Sequence, residues 1–160
     1  MLFSKTDEKF MCRAIALAQR GVDDNVGGPF GCVVVKNGEI VGEGCNSVTS
    51  SNDPTAHAEI VAIRNACVRL GTFELDGCSV YTSCEPCPMC LGAICWARAS
   101  ALFIAGHRED AAAAGFDDEH FYNELEKPND QRELKMVTIL REESQKVFDN
   151  WKAKPDKTEY

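Results

Sequence analysis

Two short segments about thirty residues apart constrain this chain more than anything else in it: Asp53-Pro54-Thr55-Ala56-His57-Ala58-Glu59 and Ser83-Cys84-Glu85-Pro86-Cys87-Pro88-Met89-Cys90. One imidazole and two thiols, at His57, Cys87 and Cys90, are donors that zinc takes in preference to oxygen-seeking magnesium or calcium. A fold that uses them must bring all three to one point. Cys87 and Cys90 stand three apart, so on one helical turn they face the same way. Pro88 between them suits the first turn of a helix, where unpaired amides and the helix dipole favour thiolate. Three protein ligands leave a fourth position open, and an open zinc position is a catalytic one. His57 and Glu59 lie roughly 200° apart around a helix axis. They converge only if the metal lies off the end of their helix, near its first turn.

The periodicity around these segments predicts an α/β chain. Lys5 to Arg20 repeats Phe10, Ala14, Leu17 and Ala18 at helical spacing, with Gly21 as a stop. Cys32 to Val35 and Glu39 to Cys45 read as strands joined by Asn37-Gly38, a two-residue hairpin signal. A polar loop from Asn46 to Pro54 leads to a helix from about Ala56 to Leu70, with Asp53 or Thr55 as its cap. Ser79 to Thr82 is a third strand, Pro88 to Ala97 a buried helix and Ala101 to Ala105 a fourth strand. Strand and helix alternate here, which implies parallel pairing through crossovers. Leu134 to Leu140 is apolar enough for a fifth strand, and Glu142 to Lys152 reads as a helix. The expected architecture is a three-layer α/β/α domain with a mixed five-stranded sheet, one domain over residues 1–160.

The formal net charge of -8 disfavours nucleic acid as the main partner, because gripping a phosphate backbone calls for a basic face. Small neutral substrates fit this balance. No run reaches the ~20 apolar residues of a membrane span. Nine cysteines, an odd number, with no leader-like segment at the start, read as buried thiols and metal ligands in a reducing cytoplasm, not as a disulfide framework.

Two thiolates and a neutral imidazole cancel the charge of Zn²⁺, so a general base is needed beside the metal, and Glu59 is the candidate. The chemistry that fits is hydrolytic loss of ammonia from an amino-substituted ring carbon. The bland alternative is a zinc knot closed by Cys84 as fourth ligand, in a zinc-stabilised interaction module without catalysis. It leaves Glu59 unexplained.

At these residues the chain resembles the cytidine-deaminase-like superfamily, and within it the small bacterial guanine deaminases. The matching stretches are Gly27 to Gly31, Thr49 to Glu59, Tyr81 to Gly92, Trp96-Ala97-Arg98, Ala114 to Asp118 and Glu159-Tyr160. The resemblance implies zinc on His57, Cys87 and Cys90, with Glu59 and Asp118 as the catalytic carboxylates. It implies contacts to a guanine substrate from Asn46, Phe30, Trp96 and the backbone of Ala58. It further implies a homodimer with an exchanged, domain-swapped C-terminal segment, in which Tyr160 closes the partner's pocket. Each has a plainer reading: Asp118 as a helix cap, Phe30 and Trp96 as core, Asn46 as a turn residue, Tyr160 as a frayed end. The same chemistry on guanosine, cytosine, cytidine or adenosine in tRNA stays open on residues alone.

Overall fold

The computed structural model describes residues 3–160, in two compact units that divide after Phe121. The first unit is built on a mixed sheet of β1 (Gly31–Lys36), β2 (Glu39–Cys45), β3 (Cys78–Cys84) and β4 (Ala101–Gly106), in the order β2-β1-β3-β4. β1 is antiparallel to both neighbours, and β3 and β4 are parallel. The β1–β2 turn is made by Asn37 and Gly38, both at positive φ (52° and 80°), as the twist of a two-residue hairpin requires.

Alternation along β1 divides the core in two. Val33 and Val35 pack with Phe10, Ala14, Leu17 and Tyr81 under α1 (Lys5–Asp23). Cys32 and Val34 point the other way, to Ala58, Ala62 and Ala66 of α3 (Ala58–Leu70) and Ile94 of α4 (Pro88–Trp96). Between β2 and α3 lies α2, a single turn (Val48–Ser51) inside the expected polar loop. Two glycines set how closely helices approach the sheet. A Cβ on Gly44 would stand 2.3 Å from the Ala58 carbonyl oxygen, and one on Gly31 would stand 2.1 Å from that of Ala14. Gly44 therefore seats the first residue of α3 directly on β2, which places His57 at the C-terminal end of that strand.

The sheet has four strands, not the five expected. Leu134 to Leu140 forms no strand, and its apolar side chains Leu134, Met136, Val137, Ile139 and Leu140 are exposed. Apolar residues alone do not make a strand. A neighbouring edge must pair its backbone. After β4 come α5 (Arg108–Ala113), α6 (Glu119–Glu126), a 3-10 turn (Asn129–Gln131) and α7 (Arg141–Ala153). Within the second unit, Arg132 donates to the carbonyls of Leu125 and Lys127 at the end of α6. No helix among the described residues is long and apolar enough to cross a membrane.

Candidate metal centre

His57 and Cys87 are both N-cap residues, the first of α3 and the second of α4. Each has extended backbone (ψ 156° and 167°), so each side chain leaves the helix end instead of its flank. This removes the difficulty posed by the helical wheel, since His57 is outside the helix that carries Glu59. Asp53 is not the cap. Its Oδ1 accepts from the Thr55 amide at 2.8 Å and closes the preceding turn. Cys90 completes the first turn of α4, behind Pro88.

The three donor atoms lie within 4.8 Å of one another. His57 Nδ1 is 3.6 Å from Cys87 Sγ and 3.5 Å from Cys90 Sγ. One imidazole nitrogen has a single proton or lone pair and cannot serve two sulfurs equally. Tetrahedral zinc, bonded at about 2.3 Å to sulfur and about 2.0 Å to nitrogen, gives a sulfur–nitrogen edge of about 3.5 Å. The donor set therefore fits zinc in spacing as well as in softness. Cys84 stands apart: its thiol donates to the His107 carbonyl at 3.5 Å, and it does not join the cluster.

The electrostatics match this use. The Cys90 thiol and the His57 imidazole hold Cys87 down to about 4, although burial opposes them. Cys90 is pushed up by sharing its proton with Cys87 and by burial. The two shifts run in opposite directions because the sulfurs share one hydrogen bond. Glu59 is 6 % exposed, beside Cys90, and burial raises its carboxyl above the ordinary range.

Asn46 is buried, and its Oδ1 accepts from the amides of Gly28 (3.2 Å) and Val48 (3.3 Å). The amide group then presents Nδ2 as its remaining donor. Phe30 meets Phe116 edge to face, ring centres 5.0 Å apart. The Gly27-to-Phe30 loop thus supports the segment that carries Asp118. Asp117, not Asp118, accepts from the Glu119 amide at the start of α6 (3.0 Å). Asp118 is raised by desolvation and by the charge of Cys87, so it lies within electrostatic reach of that one sulfur. Ala58 is fully buried at the start of α3, where first-turn amides lack helical partners. Trp96 is not brought to the cluster within one chain. It ends α4, six residues past Cys90 and so about 9 Å further along the axis, and it is 66 % exposed. Tyr160 belongs to the second unit. Phe116 has no counterpart in the expected site. Its place beside Gly115 and Asp118 was the available signal, but the contact to Phe30 exists only in three dimensions.

Residues 4–106 match the cytidine and deoxycytidylate deaminase zinc-binding region. The chain belongs to this zinc-binding deaminase family. Its members of known structure and name set the scale of likeness. The guanine deaminase of Bacillus subtilis is 53% identical over 153 residues, covering 96% of this chain and 98% of that protein, and its crystal structure superposes with a TM-score of 0.93. A guanine deaminase from Nitrosomonas europaea is 33% identical with a TM-score of 0.66, covering 74% of this chain and 67% of that one. The tRNA-specific adenosine deaminase of Haemophilus influenzae is 36% identical over 146 residues, 90% of this chain and 82% of that protein. Of these three, the Bacillus protein combines the highest identity with the fullest coverage of both chains.

Proposed function

We propose that this chain is a zinc-dependent enzyme that hydrolyses guanine to xanthine and ammonia. The observation that carries the chemistry is the meeting of His57 Nδ1 with two cysteine sulfurs at 3.5 and 3.6 Å beside the buried carboxyl of Glu59. Near-full-length likeness to a guanine deaminase supports the choice of base.

His57, Cys87 and Cys90 would hold one zinc ion per site, and bound there it would supply Lewis acidity toward an attacking water. Glu59 accepts a proton from that water as its oxygen adds to C2 of guanine. One water proton ends on the ring nitrogen beside C2. The other ends on the departing amino group, so the C2–N bond breaks as ammonia forms. Asp118, a carboxyl raised in the same direction, holds the amino group and the neighbouring ring nitrogen during these transfers. Asn46 donates through Nδ2 to the base edge, the Ala58 amide offers a second donor, and Phe30 packs on the purine plane.

The protein acts as a single domain over residues 1–160, in the reducing cytoplasm, in purine catabolism or salvage. It is a homodimer with exchanged tails, in which residues from about 140 onward close the site, Tyr160 entering the partner's pocket and Trp96 narrowing it. Exposed Met89, Leu91 and Trp96 on α4 support a partner, since a helix apolar on all sides belongs in an interior. The net charge of -8 speaks against tRNA as substrate. The test is ammonia release from guanine, guanosine, adenine, cytosine and cytidine. Turnover of guanine in preference to the others is expected, and activity on guanosine alone would overturn the choice of substrate.

A further inference from the structure

Glu85, immediately before the Pro86-Cys87 step, has a contact pattern unrelated to metal binding. Its amide donates to the Gly106 carbonyl at 2.9 Å, extending the β3–β4 pairing by one residue. Its carboxylate accepts from the Arg108 amide at 3.4 Å and lies 3.9 Å from His107 Nδ1. The neighbouring Cys84 thiol donates to the His107 carbonyl at 3.5 Å. Two consecutive residues of the thiolate loop thus hold the two residues that start α5.

From there the path to Asp118 is short and hydrogen-bonded at both ends of α5. α5 opens with a side-chain contact of its own, Asp110 Oδ2 accepting from the His107 amide at 2.8 Å. It closes with Gly115 at φ +91°, the amides of Gly115 and Phe116 donating to Ala112 and Ala111 at 2.9 Å each. That pair of bonds is a Schellman stop, which leaves the outgoing chain little freedom. Phe116 then docks on Phe30, and Asp118 follows two residues later.

We propose that Glu85 is a positioning residue that ties the thiolate loop to the start of α5 and so fixes Asp118 over the reacting carbon. The inference rests on the role given to Asp118 above. A displacement of about 1 Å at a proton-transferring group costs on the order of a hundredfold in rate, so a tie one short helix away has leverage.

The test compares Glu85→Ala, Glu85→Gln, Asp118→Asn and the double variant Glu85→Ala/Asp118→Asn, as zinc-loaded protein with rates expressed per bound zinc. Glu85→Ala is expected to lower kcat about tenfold to a hundredfold with KM for guanine within about twofold. Glu85→Gln, whose amide oxygen still accepts from Arg108, is expected to retain most of the rate. The double variant is expected to be no slower than Asp118→Asn, because an unpositioned Asn has nothing left to lose. Wild-type kcat in Glu85→Ala would overturn the proposal, as would losses that multiply in the double variant. Failure of the underlying reading looks different: Asp118→Asn alone would turn over normally. The tie itself is then judged by hydrogen exchange at the Arg108 amide, which Glu85→Ala accelerates if it exists and leaves unchanged if it does not.

Discussion

Glu59 is held where a carboxylate is least comfortable, buried beside two sulfurs with its pKa raised. Such a group costs stability, a cost retained where the group is needed for activity. Glu59→Gln should therefore keep one zinc per chain and hold or raise Tm, while turnover falls by on the order of a hundredfold or more, the share that general acid–base catalysis contributes. Metal analysis, calorimetry and ammonia release check the three parts. The cysteines separate in the same way. Cys87→Ser should lose zinc at neutral pH, whereas Cys84→Ser, at a thiol bonded to the His107 carbonyl, should keep it. A loss of zinc in Cys84→Ser would restore the closed-knot reading. Residue identity and spacing made His57, Cys87, Cys90 and Glu59 legible in the chain, because ligand softness is a property of the side chain itself. The engagement of Asn46 Oδ1 by the Gly28 amide was not legible, since that amide comes from a loop eighteen residues earlier.

Elements position these residues through their ends. α3 and α4 each start with a ligand at the N-cap, so the metal site belongs to two helix termini and to no helix face. α1 is anchored at its start by a different device. Ser4 and Asp7 form a capping box, and the Tyr81 hydroxyl of β3 donates to Asp7 at 2.6 Å while its ring stacks on Phe103. Desolvation, and then the Asp7 bond, push Tyr81 up to about 12. A folded-state pKa above the unfolded one means that this contribution is present below about pH 10 and is lost as pH rises through 12. Ultraviolet titration should show one of the three tyrosines ionising near 12, a step absent in Tyr81→Phe. Asp7, lowered first by Tyr81 and then by Ser4, works in the opposite direction: its contribution fades as pH falls through its depressed value. The helices and the hairpin followed from periodicity and from Asn37-Gly38. The cap of α3 did not, because Asp53 used its side chain in the turn before it.

Among the described residues, two groups of exposed apolar side chains bear on assembly. Met89, Leu91 and Trp96 lie on α4, and Leu134 to Leu140, Val147 and Phe148 lie in the second unit. Covering both in a homodimer predicts a particle of twice the chain mass in light scattering at micromolar concentration. Removing Glu159 and Tyr160 should leave zinc content and Tm intact but cut turnover of guanine, by admitting water to the pocket. Unchanged kinetics after truncation would show that the tail is no lid.

Local chemistry was written in the order of residues: the donor types, the helix-start spacing of Pro88 between two cysteines, the alternation that sorts β1 between two cores. These depend on neighbours a few positions away, which a linear chain keeps together. Three outcomes needed the folded chain. Leu134 to Leu140 is apolar but unpaired, because pairing depends on a free edge elsewhere. Phe116 reaches Phe30 across 86 positions. The sulfurs of Cys87 and Cys90 meet the His57 nitrogen at the edge length of a zinc tetrahedron, because Gly44 lets α3 settle on β2. Contacts between distant segments are set by how helices seat on a sheet, and that is decided by packing distances of tenths of an ångström that no spacing along the chain records.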